Sequence, residues 1–486
     1  MRLSELLAGL DVHRTADAAD PECVGLAYDS RRVTPGMVFF ALPGEKTDGH
    51  AHAAEAAARG AVAVVGARDC GLPPGVQQVY VANARQALAQ VAARTHQDPS
   101  RDLKVIGITG TNGKTTVAYM VRHILRRSNI STGMIGTVEY DVGSHVLPAA
   151  RTTPESLELQ QMLAQMRDAG CSACVMEVSS HALAQHRVDA LDFDIAAFTN
   201  LTQDHLDYHG DMKAYFATKC LLFDGLKKGA AVVTNLDDSY GAQLTREGAL
   251  TFGHSASAVI RAGNFRLGAE STHLTVIGPN DSVPLILPFI GRHNISNALA
   301  AYSITSAMGI DGCVVAEAFS DLPPAPGRLE KIMLGQPFGV LVDYAHTDDA
   351  LRQVLITLRE VTAGRLLVMF GCGGNRDQGK RFKMGAVAAE WADEMMITTD
   401  NSRREEPAGI AEQIAEGCRS VRSGGFEIEL DRGRAIDEII RRARPGDTVL
   451  LAGKGHETYQ EVGDMVMPFD DREHARETLV ALGYGE

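Results

Sequence analysis

The chain has no apolar run approaching the ~18 residues that a membrane-crossing helix requires, and no repeat or low-complexity tract. A spanning helix and an array architecture are therefore not expected. Excess positive charge is also missing. With 47 Lys and Arg against 61 Asp and Glu, the formal net charge is -14, which opposes an extended polyanion or an anionic bilayer as partner. Neither nucleic acid nor membrane insertion is expected, although a local basic pocket remains compatible with this balance. Aromatic residues are few, with one Trp, and the eight cysteines are scattered, which suggests reduced thiols in a cytoplasm. Cys171 and Cys174 have redox-pair spacing, but they lie in an apolar run (171–178) that reads as a strand, so they read as buried core thiols. The N-terminal Met1-Arg2-Leu3-Ser4-Glu5 segment carries acid within its apolar part and does not resemble a signal peptide.

What is present is glycine and alternation. A chain of 486 residues accommodates about three domains, and 48 glycines suit many strand-to-helix turns. Three α/β blocks are expected, at 1–98, 99–327 and 328–486. The polar stretch 96–100 and the proline-rich stretch 322–327 read as linkers. In the third block, strands expected at 339–342, 366–370, 394–398, 427–430 and 448–451 alternate with helical patterns. That order requires crossover connections and hence a mainly parallel, doubly wound sheet.

The most informative stretch is Gly107-Ile108-Thr109-Gly110-Thr111-Asn112-Gly113-Lys114-Thr115-Thr116. It lies between a short apolar run, 103–108, and a helical pattern, 117–126. A glycine turn there aims backbone N–H groups and a helix N-terminus at a phosphate chain. Lys114 would reach the β- and γ-phosphates of a nucleotide, and the Thr115 hydroxyl would ligate Mg²⁺. Ile108 stands where the common phosphate-loop pattern places its first glycine. Further Mg²⁺ candidates are Glu177, which ends an apolar run, and His205, in a polar loop with Asp204, Asp207 and His209. Lys219, on a helical pattern at 212–222, would ordinarily be an exposed lysine.

Ligands of doubly wound sheets collect beyond the carboxyl ends of the strands. Three segments of the third block fall there: 371–377 with Arg376, Asp400-Asn401-Ser402-Arg403, and Gly453-Lys454-Gly455-His456-Glu457. Arginine forks pair with carboxylates and an acid suits an ammonium, so the set reads as an amino-acid pocket with charges for both ends. A dinucleotide fingerprint at 371–377 is disfavoured because Asn375 interrupts it and no acidic ribose partner is evident.

Gly110-Thr111-Asn112-Gly113-Lys114-Thr115-Thr116, Glu177-Val178-Ser179-Ser180-His181, His205-Leu206-Asp207-Tyr208-His209-Gly210, His293-Asn294 with Asn297-Ala298, and Asp343-Tyr344-Ala345-His346-Thr347 together resemble the Mur ligases across all three blocks. The resemblance is to the members that add the third residue of the peptidoglycan stem peptide. It implies an N-terminal α/β UDP-binding domain, a central phosphate-loop ATPase-like α/β domain and a C-terminal doubly wound, Rossmann-like domain. Asp29-Ser30-Arg31 and Glu45-Lys46-Thr47 then match uridine-nucleotide contacts. Thr152, Thr153, Ser179, Gln185 and Arg187 match positions holding the muramoyl dipeptide, and Asn297, Arg328 and Asp343 match positions near the ATP adenosine. Lys219 matches a carbamylated lysine that serves as an anionic Mg²⁺ ligand.

Arg376, Gly453 and Glu457 match contacts to meso-diaminopimelate, together with the motif at 400–403, where Ser402 replaces the family's proline. The resemblance implies a monomeric, cytoplasmic ATP-dependent ligase that joins meso-diaminopimelate to UDP-N-acetylmuramoyl-L-alanyl-D-glutamate through an acyl phosphate. Lys114 and two Mg²⁺ ions would neutralise charge, with Thr115, Glu177, His205 and Lys219 as ion ligands. The alternatives are a lysine-adding ligase, which Arg403 argues against, and a folylpolyglutamate synthetase-like ligase, which would lack Asp29-Ser30-Arg31 and the Arg403 motif. A nucleotide-dependent switch, a third alternative, would need no amphoteric pocket.

Overall fold

A computed structural model describes residues 1–14, 20–44, 47–268, 271–279 and 281–485. Glu45 and Lys46, expected at the uridine nucleotide, lie outside the described residues. Backbone contacts divide the chain into two compact units. Met1–Thr109, Ile130–Ala196 and Ala217–Ala230 form the first, and Gly110–Asn129, Ala197–Phe216 and Ala231–Glu486 the second. Three principal sheets, all mixed, carry the fold.

The first sheet has five strands in the order His13–Arg14, Gln77–Tyr80, Ala63–Gly66, Met37–Phe40, Gly25–Ala27. Only the His13–Arg14 edge runs antiparallel. Successive residues of Met37–Phe40 enter two different cores. Val38 and Phe40 pack with Leu88 and Val91 of the helix Ala84–Thr95, while Phe39 packs with Ala53 and Ala56. Burial on both faces is why this strand is a continuous apolar run rather than an alternating one. Asn83 starts the longer helix by accepting from the N–H groups of Arg85 and Gln86.

The second sheet has eleven strands. Its order is Ser282–Leu287, Thr272–Ile277, Ile260–Leu267, Leu250–Gly253, Leu226–Asn235, Phe193–Phe198, Lys104–Thr109, Ala173–Glu177, Thr132–Ile135, Glu139–Asp141, Val146–Pro148. Lys104–Thr109 pairs in parallel with Ala173–Glu177, opposing Ile108 to Glu177. Antiparallel hairpins extend both ends, at Glu139–Asp141 with Val146–Pro148 and across the three strands from Ile260 to Leu287. The stretch 96–100, which reads as a linker, is packed: Pro99 and Ser100 are buried at the start of the short helix Pro99–Arg101.

The third sheet orders Glu330–Lys331, Gly339–Asp343, Thr448–Ala452, Leu366–Phe370, Glu394–Ile397, Phe426–Ile428, antiparallel only at its first strand. Leu366, Val368 and Phe370 face one core with the helices Asp348–Val361, Gly379–Trp391 and Pro407–Val421. Leu367 and Met369 face another with Arg432–Arg441 and Asp471–Ala481. Helices on both faces make the sheet doubly wound, as its alternation requires. The last parallel strand, Thr448–Ala452, inserts between Gly339–Asp343 and Leu366–Phe370.

Candidate active site

In the second unit, the glycine loop leads into the helix Lys114–Arg127. Gly113 has φ +87°, and a Cβ there would overlap Asn297 Oδ1, so only glycine fits. Hydrogen bonds to neighbouring residues strap the loop in place. Thr111 N donates to Asn200 O (2.8 Å), and Asn112 N donates to Asn200 Oδ1 (2.9 Å). The Asn112 carbonyl accepts from Thr199 Oγ1 (2.6 Å) and Asn200 Nδ2 (3.1 Å). Lys114 Nζ rests on the carbonyls of Gly110 and Thr111, each 2.9 Å away. Buried Thr115 lies in the first helical turn, where its Oγ1 accepts from Arg328 Nη2 at 3.3 Å.

Beside the loop lies a cavity of about 390 Å³, lined in part by Asn112, Gly113, Thr116, Asn297, Arg328 and Asp343. Its volume is that of a small-molecule site. Asn297, Arg328 and Asp343, singled out by sequence, are thus brought together with the glycine loop. Each Asp343 oxygen accepts one backbone N–H, from Leu329 (2.7 Å) and Ala345 (2.8 Å). Burial raises the Asp343 carboxyl above the usual carboxylate range, against the opposing charge of Arg328. The Arg328 guanidinium lies 4.7 Å from the Tyr344 ring centre, and its buried Nε has no hydrogen-bond partner among the described residues. A buried, unpaired N–H at a cavity wall is a donor awaiting an acceptor. Phe252, His254, Phe289 and His293 also line the cavity, and sequence reading did not assign them to it. Burial lowers the His293 imidazole to about 4, so it is neutral at neutral pH.

The ion-ligand candidates fall in both units, and each is described in its own. In the first, Glu177 is buried at the end of its strand, accepting from Thr137 N (2.8 Å) and Thr137 Oγ1 (3.0 Å). Lys219 is 1% exposed, contrary to the solvated position its residue type suggests. Spacing explains the difference: Tyr215 and Leu222, one turn before and after, are buried on the same helix face. In the second unit, His205 adopts φ 53° with its Nε2 3.4 Å from Asp204 Oδ2. Among the described residues, no group of three or more His, Cys, Asp or Glu side chains gathers into a ready metal cage. Hydroxyl and carboxylate donors suit Mg²⁺, which completes its shell with substrate phosphate oxygens and water.

The muramoyl-dipeptide candidates meet in the first unit. Thr153 Oγ1 donates to Glu177 O (2.8 Å) and accepts from Ser179 N (3.0 Å), and Thr152 Oγ1 lies 3.1 Å from Thr137 Oγ1. Arg187 donates to Thr153 O (2.8 Å) and Gln185 Oε1 (2.6 Å). Sequence reading missed the centre of this group. Buried Glu155 holds three arginines, Arg151 at 2.9 Å, Arg85 at 3.0 Å and Arg187 at 3.1 Å. Three guanidiniums around one carboxylate leave a surplus of positive charge beside Thr153, suited to an anionic substrate. Ser30 is buried and donates to Glu55 (2.8 Å), and Asp29 pairs with Arg31 (2.7 Å). Thr47 Oγ1 lies 2.9 Å from His52 Nε2.

The third-block segments converge in the second unit as expected. Arg403 Nη1 and the Arg376 chain both approach the point where a Cβ on Gly373 would stand, at 3.1 and 3.8 Å. Gly453 N donates to Asp343 O (3.0 Å), tying this pocket to the cavity beside the glycine loop through one residue. Glu457, an acid of the kind that suits an ammonium, is already engaged. Lys454, wholly buried, contacts Glu457 Oε2 (3.2 Å), Asn401 Oδ1 (3.1 Å) and Asp400 Oδ1 (3.5 Å), and Asn401 Nδ2 donates to Glu457 (3.0 Å). Burial raises the Glu457 carboxyl. Burial works to raise Asp400 as well, but the charges of Lys454 and Arg432 outweigh it and hold Asp400 below its usual value. Arg432 is itself wholly buried. It pairs with Asp471 through Nε (2.7 Å) and Nη2 (2.6 Å), and donates to Thr399 O (3.3 Å) and Ala452 O (3.0 Å). It thereby fixes the ends of two strands just before Asp400 and Gly453.

Three family models match in chain order: the Mur ligase family catalytic domain at 22–96, the Mur ligase middle domain at 108–305 and the Mur ligase glutamate ligase domain at 327–455. A protein of Solibacter usitatus named UDP-N-acetylmuramoyl-L-alanyl-D-glutamate--2,6-diaminopimelate ligase is 44% identical, covering 100% of this chain and 99% of its own. A protein of Caldanaerobacter subterraneus with the same name is 43% identical, covering 99% of each. A solved structure under that name superposes with a TM-score of 0.69 at 31% identity, over 100% of this chain and 99% of its own. Folylpolyglutamate synthase from Mycobacterium tuberculosis shares the fold, with a TM-score of 0.64 at 17% identity over 76% of this chain and 93% of its own. The chain belongs to the Mur ligase family.

Proposed function

We propose that this chain is the ATP-dependent ligase that joins meso-2,6-diaminopimelate to the D-glutamyl γ-carboxylate of UDP-N-acetylmuramoyl-L-alanyl-D-glutamate, in peptidoglycan precursor synthesis. The observation that carries this reading is Arg403 beside the buried Asp400–Asn401–Lys454–Glu457 group, in a chain 44% identical over its full length to a protein so named. Lysine lacks the second carboxylate that an arginine fork would bind. The reading places the enzyme in the cytoplasm as a monomer working in three parts, 1–98, 99–327 and 328–486. Glu45, Lys46, Thr47 and Ser30 would contact the uridine nucleotide.

The γ-carboxylate attacks the γ-phosphorus of ATP, the bond to the bridging oxygen breaks, and ADP leaves an acyl phosphate. The diaminopimelate amine then attacks the acyl carbon and expels phosphate. Such transfer depends on positioning and charge neutralisation. Lys114 exchanges its two loop carbonyls for phosphate oxygens, and the N–H groups of 110–116 cradle the chain. Asn297, Arg328 and Asp343 hold the nucleoside end, while Thr152, Thr153, Ser179, Gln185 and Arg187 orient the dipeptide. Bound Mg²⁺ would supply further charge neutralisation, with Thr115, Glu177, His205 and carbamylated Lys219 as the residues that would hold it.

The test is ADP release with the UDP-dipeptide present. Release that requires meso-diaminopimelate supports the ligase, and sustained release without it refutes the assignment. Arg403→Ala is expected to lower the preference for meso-diaminopimelate over L-lysine, and an unchanged preference refutes the role given to Arg403.

A further inference from the structure

Arg403 stands in an unusual backbone state for a non-glycine residue, with φ 50°. Its support comes from a hairpin, Tyr459–Val462 with Met465–Pro468. Arg403 N donates to Glu461 O (3.1 Å), and Gly463 N donates to Arg403 O (2.7 Å), closing a bridge opposite Val462. The same strand grips the residues just before it. Glu461 N donates to Asn401 Oδ1 (2.9 Å), and Gln460 Nε2 donates to Asp400 O (3.2 Å). The intervening residue adds nothing through its side chain, because the buried Ser402 Oγ has no hydrogen-bond partner among the described residues.

The Arg403 side chain is held from the same direction. Its Nε meets Glu461 Oε2 at 2.7 Å, while Nη1 donates to Gly374 O at 3.1 Å. Guanidinium carries five N–H donors in one plane. With Nε held by Glu461 and Nη1 by Gly374 O, Nη2 has no partner among the described residues and is the donor left for a ligand. Glu461 and Arg403 are each about one-third exposed or less, with side-chain exposures of 30% and 27%, so the pair is partly shielded from water. The neighbouring Arg404–Asp464 pair, by contrast, is 76% and 80% exposed and contributes little.

We propose that Glu461 is the positioning residue for Arg403, fixing its guanidinium so that Nη2 meets the distal carboxylate of the amino-acid substrate. This inference rests on the reading of Arg403 as the carboxylate fork. Glu461 does not touch substrate; it acts through Arg403, and the hairpin supplies the stiffness that Ser402 does not.

The experiment is steady-state kinetics of the full chain with Glu461→Ala, Glu461→Gln and Glu461→Asp. Glu461→Ala is expected to raise KM for meso-diaminopimelate about tenfold or more, since small misplacements of a binding group cost that much. The KM values for ATP and the UDP-dipeptide should stay within about twofold, the range expected where no contact is lost. Glu461→Gln keeps an oxygen facing Nε and should restore near-wild-type KM. Glu461→Asp keeps the charge but withdraws it by a methylene, and should give an intermediate KM, which tests the proposal even if the alanine variant does not fold. An unchanged or lower KM for meso-diaminopimelate in Glu461→Ala overturns the proposal, as does an equal rise in all three KM values. A wild type indifferent to meso-diaminopimelate against L-lysine would overturn the parent reading. A selective wild type with an equally selective Glu461→Ala overturns this inference alone.

Discussion

Replacing Lys454 with Met tests whether the pocket of Asp400, Asn401 and Glu457 is built around a buried cation. The side chain is wholly buried, with Glu457 Oε2 at 3.2 Å and Asp400 Oδ1 at 3.5 Å. Methionine nearly preserves volume but leaves two carboxylates facing each other without their ammonium. Removing one member of a buried ion pair costs about 3–5 kcal/mol, because the remaining charge is desolvated and uncompensated. For a folding unit of this size, that is a fall of about 6–20 °C in its melting transition.

The sole tryptophan, Trp391, packs against the core of the six-stranded sheet, so its fluorescence follows the affected part of the chain alongside calorimetry. The pH dependence has a definite sign. In the wild type Asp400 is held below its usual value, so its contribution is present above about pH 4, the unfolded carboxyl value, and lost as pH falls through the lower folded value. Without Lys454, Glu457 loses a charge that lowers it and stands further above its unfolded value, and Asp400 rises from its depressed one. The protonated form of Glu457 then favours folding at low pH, and that favour is lost as pH rises. The deficit of the variant should therefore grow from pH 5 to pH 8. A deficit below about 1 kcal/mol, or one equal at both pH values, would refute the reasoning, since an exposed pair behaves that way.

Other substitutions probe the remaining sites. Gly113→Ala places a Cβ against Asn297 Oδ1 at φ +87°, and should raise KM for ATP about tenfold or more while leaving KM for meso-diaminopimelate nearly unchanged. Glu155→Gln removes the charge shared by Arg85, Arg151 and Arg187, and should weaken UDP-dipeptide binding by about 1–3 kcal/mol in calorimetric titration. Binding unchanged within error would show that the arginines need no common anchor. Ser402→Ala deletes a buried oxygen that has no partner among the described residues, so melting should stay the same or rise by up to about 1 kcal/mol in stability. A loss would mean that the hydroxyl makes a contact through solvent.

Parallel strands buried on both faces were legible because they are short apolar runs bounded by glycine and polar turns. Leu366–Phe370 lies where its pattern placed it, and its neighbours differ by one or two residues at their ends. The three strands from Ile260 to Leu287 were not legible in the same way. One face of Ser282–Leu287 is exposed and carries Ser282, Pro284 and Ile286, and a proline inside the run counts against reading it as a strand. The hairpin behind Arg403 has even less inner face, since all of Met465–Pro468 is exposed. Its one local signal was Gly463-Asp464 between two short strands, a pair suited to a two-residue turn. Site residues on strand ends and glycine turns could be read because chemistry restricts them to few types. Glu155, Lys454 and Glu461 could not, because an acid or a lysine is common on any surface and only the folded partners of these three distinguish them.

The Arg432–Asp471 pair bears on how the protein is made. The chain emerges from the ribosome in order, and Asp471 follows Arg432 by 39 residues. Thr448–Ala452, which completes both the Gly339–Asp343 and the Leu366–Phe370 ladders, also emerges late. A nascent chain that stops short of residue 471 thus holds a slot in the middle of its sheet, or a guanidinium sealed without its bidentate counterion. The buried Arg432–Asp471 pair of the six-stranded sheet is therefore complete only after translation has passed Asp471.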